Sequence, residues 1–220
     1  MNTQIVVVSA SPAQVKRLAP THGPSRQLAQ AARVTLGHAL SDNFGPEPSQ
    51  VTIVGSRDER WGTAHTGAFT AWGDPETTVG AGQYLPELVA RYLLCEADPT
   101  QRRWKVIASR SSLAANDIET GTSAPQLIVL AADGSAGLGS KAPLARVEGA
   151  EDTHAWCQDV LAGKPAAARS AAELEKAGVL EPQLWLELLQ VNQLFDVDAQ
   201  LAFADDSLGV GRYVARWELL

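Results

Sequence analysis

The chain has 220 residues, 45% of them hydrophobic and 20% charged, the composition of a globular protein that buries a sizeable core without staples. Lys and Arg number 18 against 25 Asp and Glu, so the net charge is −7 and the pI about 5.1, which argues against a polyanion-wrapping face and against nucleic acid as a partner. Two Cys make no disulfide framework, and no apolar run approaches the roughly 20 residues that span a bilayer, so no membrane partner is expected.

The first residues, Met-Asn-Thr-Gln-Ile-Val-Val-Val, carry no basic leader, and a cytoplasmic location is expected. Ile5 to Val8 is a short β-branched run with an abrupt polar end, the pattern of a buried strand. After a turn-rich loop, Leu28, Ala31, Ala32, Val34, Leu36 and Ala39 recur at helical spacing, which predicts a helix from Ser25 to Ala39 with Ser25 as its N-cap. Val51 to Val54 is a second buried strand ending at Gly55. Residues 56–82 are rich in Gly, Thr and Trp without a clear period, and read as one long loop.

Leu85 to Cys95 reads as an apolar helix with Pro86 in its first turn. Trp104 to Ala108 and Leu127 to Ala131 are further strands, separated by a polar loop over 109–125. Residues 150–194 hold two or three helices, broken near Gly163-Lys164-Pro165 and near Gly178 to Pro182. Asp196 to Phe203 and Gly211 to Glu218 are two closing strands. Strands alternating with helices indicate one α/β domain over 1–220, and the final strand pair adds an antiparallel element, so the sheet is expected to be mixed. Cys95 and Cys157 sit in apolar helical runs and read as buried thiols.

In open α/β sheets ligands bind beyond the carboxyl ends of the strands. Here that rule singles out Ser9 to Pro12, Gly55 to Trp61, Asp133 to Pro143 and Asp205 to Gly209. The first candidates are Asp133, Gly134 and Ser135, which follow a buried strand where Gly permits close ligand approach. Arg57 and Asp58 lie in a dense run of mixed charge just past a strand, and His65 follows among small residues. Gly137-Leu138-Gly139-Ser140-Lys141 does not make a phosphate loop, because the first Gly is misplaced and Ala142 follows Lys141 where Ser or Thr is needed. Asp205 and Asp206 are adjacent, so their side chains diverge, and turn capping is the expected role.

Several of these segments resemble those of the actinobacterial proteins described as class III extradiol ring-cleavage dioxygenase, LigB-subunit-like. The resemblance covers nearly the whole chain. It is carried by Ala-Asp-Gly-Ser-Ala at 132–136, by Lys141-Ala142-Pro143, by the Gly55 to Gly67 loop, and by Asp-Asp-Ser-Leu-Gly-Val-Gly-Arg-Tyr-Val-Ala-Arg-Trp at 205–217. It implies a three-layer α/β/α sandwich with a central mixed sheet. The wider superfamily holds non-haem Fe(II) with a His after the first strand, a His after the second and a carboxylate or other ligand, and uses a further His in a Gly-Asp-x-Ser-His-like motif as acid/base. In this chain the first position reads Ser9-Ala10-Ser11-Pro12, the second offers Arg57 and Asp58, and Ala136 stands where the acid/base His would be. Ser and Arg are poor Fe(II) ligands and Ala transfers no proton.

The expected protein is therefore a degenerate LigB-like chain without a metal cofactor or ring-cleavage activity. It would keep a pocket drawn from Ser11, Arg57, Asp58, His65, Asp133, Gly134, Ser135, Lys141 and Asp206 for a small anionic or aromatic ligand or a partner. Arg57 is the residue that suits an anion, because a guanidinium matches carboxylate or phosphate geometry. The alternative is a metal-dependent oxidoreductase with a site rebuilt from His65, Asp58 and Asp133 or Asp206, holding Fe(II) or another divalent metal. A third reading is a homo-oligomer with an incidental cleft, in which some of the six Trp or the Leu- and Trp-rich stretch Leu184 to Phe195 pack an interface.

Overall fold

The computed structural model of the chain describes residues 3–42, 48–113, 118 and 126–220. Its centre is β1 (Thr3–Val8), in which all six residues are buried. A β-branched run without polar alternation forms such a strand because both of its faces are covered. Ile5 and Val7 join one core cluster, while Val6 and Val8 join another.

Helix α1 (Gly23–Asp42) begins two residues before the expected start. Its N-terminal cap is His22, not Ser25: the imidazole Nδ1 accepts the backbone N–H of Ser25 at 3.3 Å. That places Gly23 and Pro24 in the first turn, where the missing N–H of proline costs nothing. It also frees the buried Ser25 hydroxyl for another partner, Arg212. Strand β2 (Ser49–Gly55) follows.

Residues 56–82 hold more structure than their sequence suggests. A 3-10 turn over Glu59–Trp61 is capped by the Asp58 carboxylate, and β3 (Ala68–Phe69) pairs with β4 (Asp74–Thr78). Fully buried Phe69 anchors this hairpin, edge-on to Trp72 and Tyr92, and Arg17 pairs with buried Asp74 at 3.1 Å. One buried aromatic ring and one buried carboxylate hold the segment, so no period marks it.

The remaining elements are α2 (Leu85–Ala97), β5 (Trp104–Arg110), β6 (Gln126–Ala131), α3 (Ala150–Leu161), α4 (Ala171–Lys176), α5 (Pro182–Leu194), β7 (Val197–Asp205) and β8 (Arg212–Leu219). Most of the loop expected over 109–125 lies outside the described residues. Six strands form one mixed sheet in the order β5-β2-β6-β1-β8-β7. The pairs β1–β6, β2–β6 and β2–β5 are parallel, and β1–β8 and β7–β8 are antiparallel. Helices α1 and α2 pack into one core cluster, and α3, α4 and α5 into the other. The apolar side of Leu184 to Phe195 serves this core: Leu184, Trp185, Leu188, Leu189 and Val191 are all buried, and only Leu194 is left strongly exposed. Trp104, Trp156, Trp185 and Trp217 are buried as well, while Trp61 and Trp72 are half-buried. Among the described residues no helix is long and apolar enough to cross a membrane.

The topology fixes where a crevice must open. Strands β1 and β6 are parallel neighbours, but the chain leaving β1 leads to α1 in one core cluster and the chain leaving β6 leads to α3 in the other. Two loops that part from adjacent carboxyl ends leave a gap between them. The β7–β8 turn lies at the same edge of the sheet, since Val8 pairs with both Ala131 and Val214, and Asp205 pairs with Arg212.

Candidate functional site

A cavity of about 290 Å³ fills that gap. All four segments at the carboxyl edge contribute to it: Ala10, Ser11 and Pro12 after β1, Ser56 and Trp61 after β2, Ala132 to Gly134 with Ala136 and Pro143 after β6, and Leu208 and Val210 from the β7–β8 turn. Leu85 and Pro86 of α2 and Leu180 and Glu181 before α5 complete the wall. The lining is mostly apolar with a few converging polar groups, which is how small-molecule sites are built. A wider, shallower depression on the outer face of α1, around Gln27, Gln30 and Val34, lacks that convergence.

Asp133 is the central polar group. Its carboxyl accepts the Ser9 hydroxyl at 2.5 Å and the Ala10 backbone N–H. Ser9 is itself fixed, since its Oγ accepts the Ser11 N–H at 3.1 Å and its carbonyl accepts Nε2 of Gln14 at 2.8 Å. Burial dominates the electrostatics and pushes the Asp133 carboxyl up to about 6, against the opposing pull of Ser9, Arg212 and Ala10. A group with that affinity exchanges a proton near neutral pH.

The floor is built from β8. Arg212 is completely covered, and its guanidinium is held by Asp205, by Ser25 at 2.7 Å and by Ser207 at 3.1 Å. This one side chain ties β8 to α1 and to the β7–β8 turn. Tyr213 donates to or accepts from Nδ1 of His154 at 2.6 Å and packs edge-on against Trp185, whose indole N–H reaches the Asp133 carbonyl at 2.9 Å. Burial raises the Tyr213 phenol well above its ordinary range, so it stays neutral. Gly134 is required by this floor: a Cβ there would stand 2.7 Å from the Tyr213 hydroxyl.

At the mouth, the Trp61 indole N–H donates to Glu181 at 3.0 Å, joining the loop after β2 to the start of α5. Arg60 pairs with Asp58 at 2.9 Å and approaches Glu181 at 3.9 Å.

The structure brings only some of the residues expected from sequence into the cavity. Ser11, Asp133 and Gly134 line it. Ser135 is buried behind the wall, where its hydroxyl donates to the Ala177 carbonyl at 2.6 Å. Arg57 is directed elsewhere: it donates to the Ser109 carbonyl at 2.6 Å and lies over the Tyr84 ring. Asp58 is occupied in capping the 3-10 turn. His65, Lys141 and Asp206 are exposed and outside the lining. Ser9, Ser56 and Trp61 lie inside the loop segments singled out from sequence but are not among the named candidates, and Glu181 and Arg212 lie outside those segments. Arg212 carries a sequence signal, since a lone cation opens the otherwise apolar run Arg-Tyr-Val-Ala. Glu181 carries none beyond its place in a helix break.

The thiols take no part. Cys157 is buried in the core beside Tyr213 and Cys95 is half-buried on α2, and burial raises both above the ordinary thiol range.

The residues do not fit a non-haem iron centre. No imidazole lines the cavity, His154 is engaged by Tyr213, and among the described residues no three His, Cys, Asp or Glu side chains converge as a metal would need. The set His65, Asp58 and Asp133 or Asp206 is not gathered: Asp133 lines the cavity and the other three do not.

Fold and site thus define an α/β protein with a mixed sheet and a carboxylate-bearing cavity at its topological switch point. No protein-family model matches the chain, and no curated protein matches it.

Proposed function

We propose that the chain is a small-molecule-binding protein on a three-layer α/β/α, LigB-like scaffold, without the iron centre and ring-cleavage chemistry of the dioxygenases it resembles. One observation carries this reading. The cavity between the β1 and β6 loops is a partly open, mostly apolar recess with a few polar groups on its walls, yet no imidazole faces it. Departures from the dioxygenase motif support it, since Ala10, Ser11 and Pro12 of the loop after β1 and Ala136 line the cavity, and the resemblance would put a His in that loop and another at 136. The ligand is a compact molecule with an aromatic or aliphatic body. The anionic ligand expected from Arg57 loses its basis, because that guanidinium lies away from the cavity.

The test is a protein-observed NMR titration with a panel of small aromatic compounds. The expected result is saturable shifts of the Ala10, Ser11 and Gly134 amides, lost when Ala10→Trp fills the cavity in a chain that still melts cooperatively. Binding that survives Ala10→Trp, or shifts confined to the outer face of α1, contradicts the reading.

A further inference from the structure

The charge that a ligand meets in this cavity differs from the charge of the residues around it. Arg212 is among the lining residues, but its side chain has no exposed surface; its two terminal nitrogens are committed to Asp205, Ser25 and Ser207, and its Nε is buried without a hydrogen-bond partner among the described residues. A group in the cavity cannot reach it without displacing the floor. Arg57 and Lys141 do not line the cavity, and Arg60, also outside the lining, pairs with Asp58 at 2.9 Å and stands 3.9 Å from the rim carboxylate of Glu181. The accessible polar groups are the hydroxyls of Ser11 and Ser56 and the carboxylates of Asp133 and Glu181. Both hydroxyls already accept backbone N–H groups, from Ala13 and from Asp58. The ionisable surface offered to a ligand is therefore acidic from two separate walls, the loop after β6 and the entry to α5.

Two carboxylates in an apolar recess need donors, and the protein supplies few. Asp133 receives Ser9 and the Ala10 N–H, and Glu181 receives the Trp61 indole. A carboxylate accepts about four hydrogen bonds, so each retains acceptor capacity. A protonated amine supplies up to three donors and the compensating charge. Bonds from an ionised donor to an ionised acceptor are about twice as strong as neutral ones. An anion would instead face both carboxylates without access to Arg212.

We infer that the ligand is a small primary amine, cationic at neutral pH, whose ammonium is held between Asp133 and Glu181 while its apolar body lies against Trp61, Leu85, Pro86 and Pro143. This rests on the reading of the cavity as a ligand site, and it reverses the sign of charge expected from Arg57.

The test compares three probes of one shape, benzylamine, benzyl alcohol and benzoate, titrated into the full chain at pH 7.5 and followed by amide shifts and calorimetry. Benzylamine is expected to bind about tenfold or more tightly than benzyl alcohol, with benzoate weakest. The amine-to-alcohol affinity ratio falls towards one in Asp133→Asn and in Glu181→Gln. Glu181 is partly exposed and lies on a separate wall, so its variant tests the same preference independently of Asp133→Asn. Equal affinities for the three probes, tighter binding of benzoate, or an amine preference untouched by both variants overturns the inference and leaves the cavity reading standing. No binding of any probe overturns both.

Discussion

Asp133 should make the protein less stable than it would otherwise be at neutral pH. Its carboxyl is raised from an ordinary 3.8 to about 6 by burial in the cavity wall. The folded state then holds this proton more tightly than the unfolded chain does, so stability is highest while both states are protonated. It is lost as pH rises from about 4 through 6, and the loss is complete above that. At about 1.4 kcal/mol for each tenfold change in proton affinity, ionised Asp133 costs the fold about 3 kcal/mol. Asn at 133 keeps an oxygen to accept Ser9 and the Ala10 N–H but never ionises. Asp133→Asn is therefore expected to raise stability at pH 7.5 by up to about 3 kcal/mol, with the gain shrinking towards zero near pH 4. Other carboxyls, among them Asp74 and Asp98, are held below their ordinary range by hydrogen bonds and act in the opposite direction as pH falls. The difference between wild type and variant cancels them. Urea denaturation of both chains from pH 4 to 8 measures it. A variant less stable than wild type at every pH, or a difference independent of pH, refutes the reasoning.

Arg212→Met should cost about 3–5 kcal/mol, because it leaves Asp205 and Ser25 without their charged partner in a covered site; a loss below about 1 kcal/mol in denaturant titration contradicts that role. Gly134→Ala should cost about 1–3 kcal/mol, since the new methyl meets the Tyr213 hydroxyl, and Tyr213→Phe in the same chain should recover part of the loss. Additive effects of those two changes count against the contact.

The centre of the sheet was legible because strands such as β1 and β6 are buried on both sides. Runs such as Ile5 to Val8 and Leu127 to Ala131 are apolar without interruption, and helices with one apolar stripe separate them. The antiparallel pairing of the two closing strands was also readable from their order in the chain. The hairpin within 56–82 was not, because it is anchored by Phe69 against Tyr92, 23 residues on, and by the Arg17–Asp74 pair, 57 residues apart, contacts that leave no local period. Ser25 has the side chain of a common cap, but His22, an uncommon capping residue, takes that role.

The placement of the cavity was legible for a topological reason, since loops after β1, β2 and β6 must meet at one edge. Its chemistry was not. Arg57 looks available in sequence, but a carbonyl 52 residues away and a ring 27 residues away capture it. Arg212 and Glu181 matter through burial and through a partner 120 residues distant, which no motif records.

A crystal of the protein soaked with benzylamine and with Fe(II), measured at the iron absorption edge, tests the central claim most directly. The account predicts the amine between Asp133 and Glu181 and no anomalous peak in the cavity. An ordered iron beside Ser11 or Asp133, or a cavity that excludes the amine and holds only water, contradicts it.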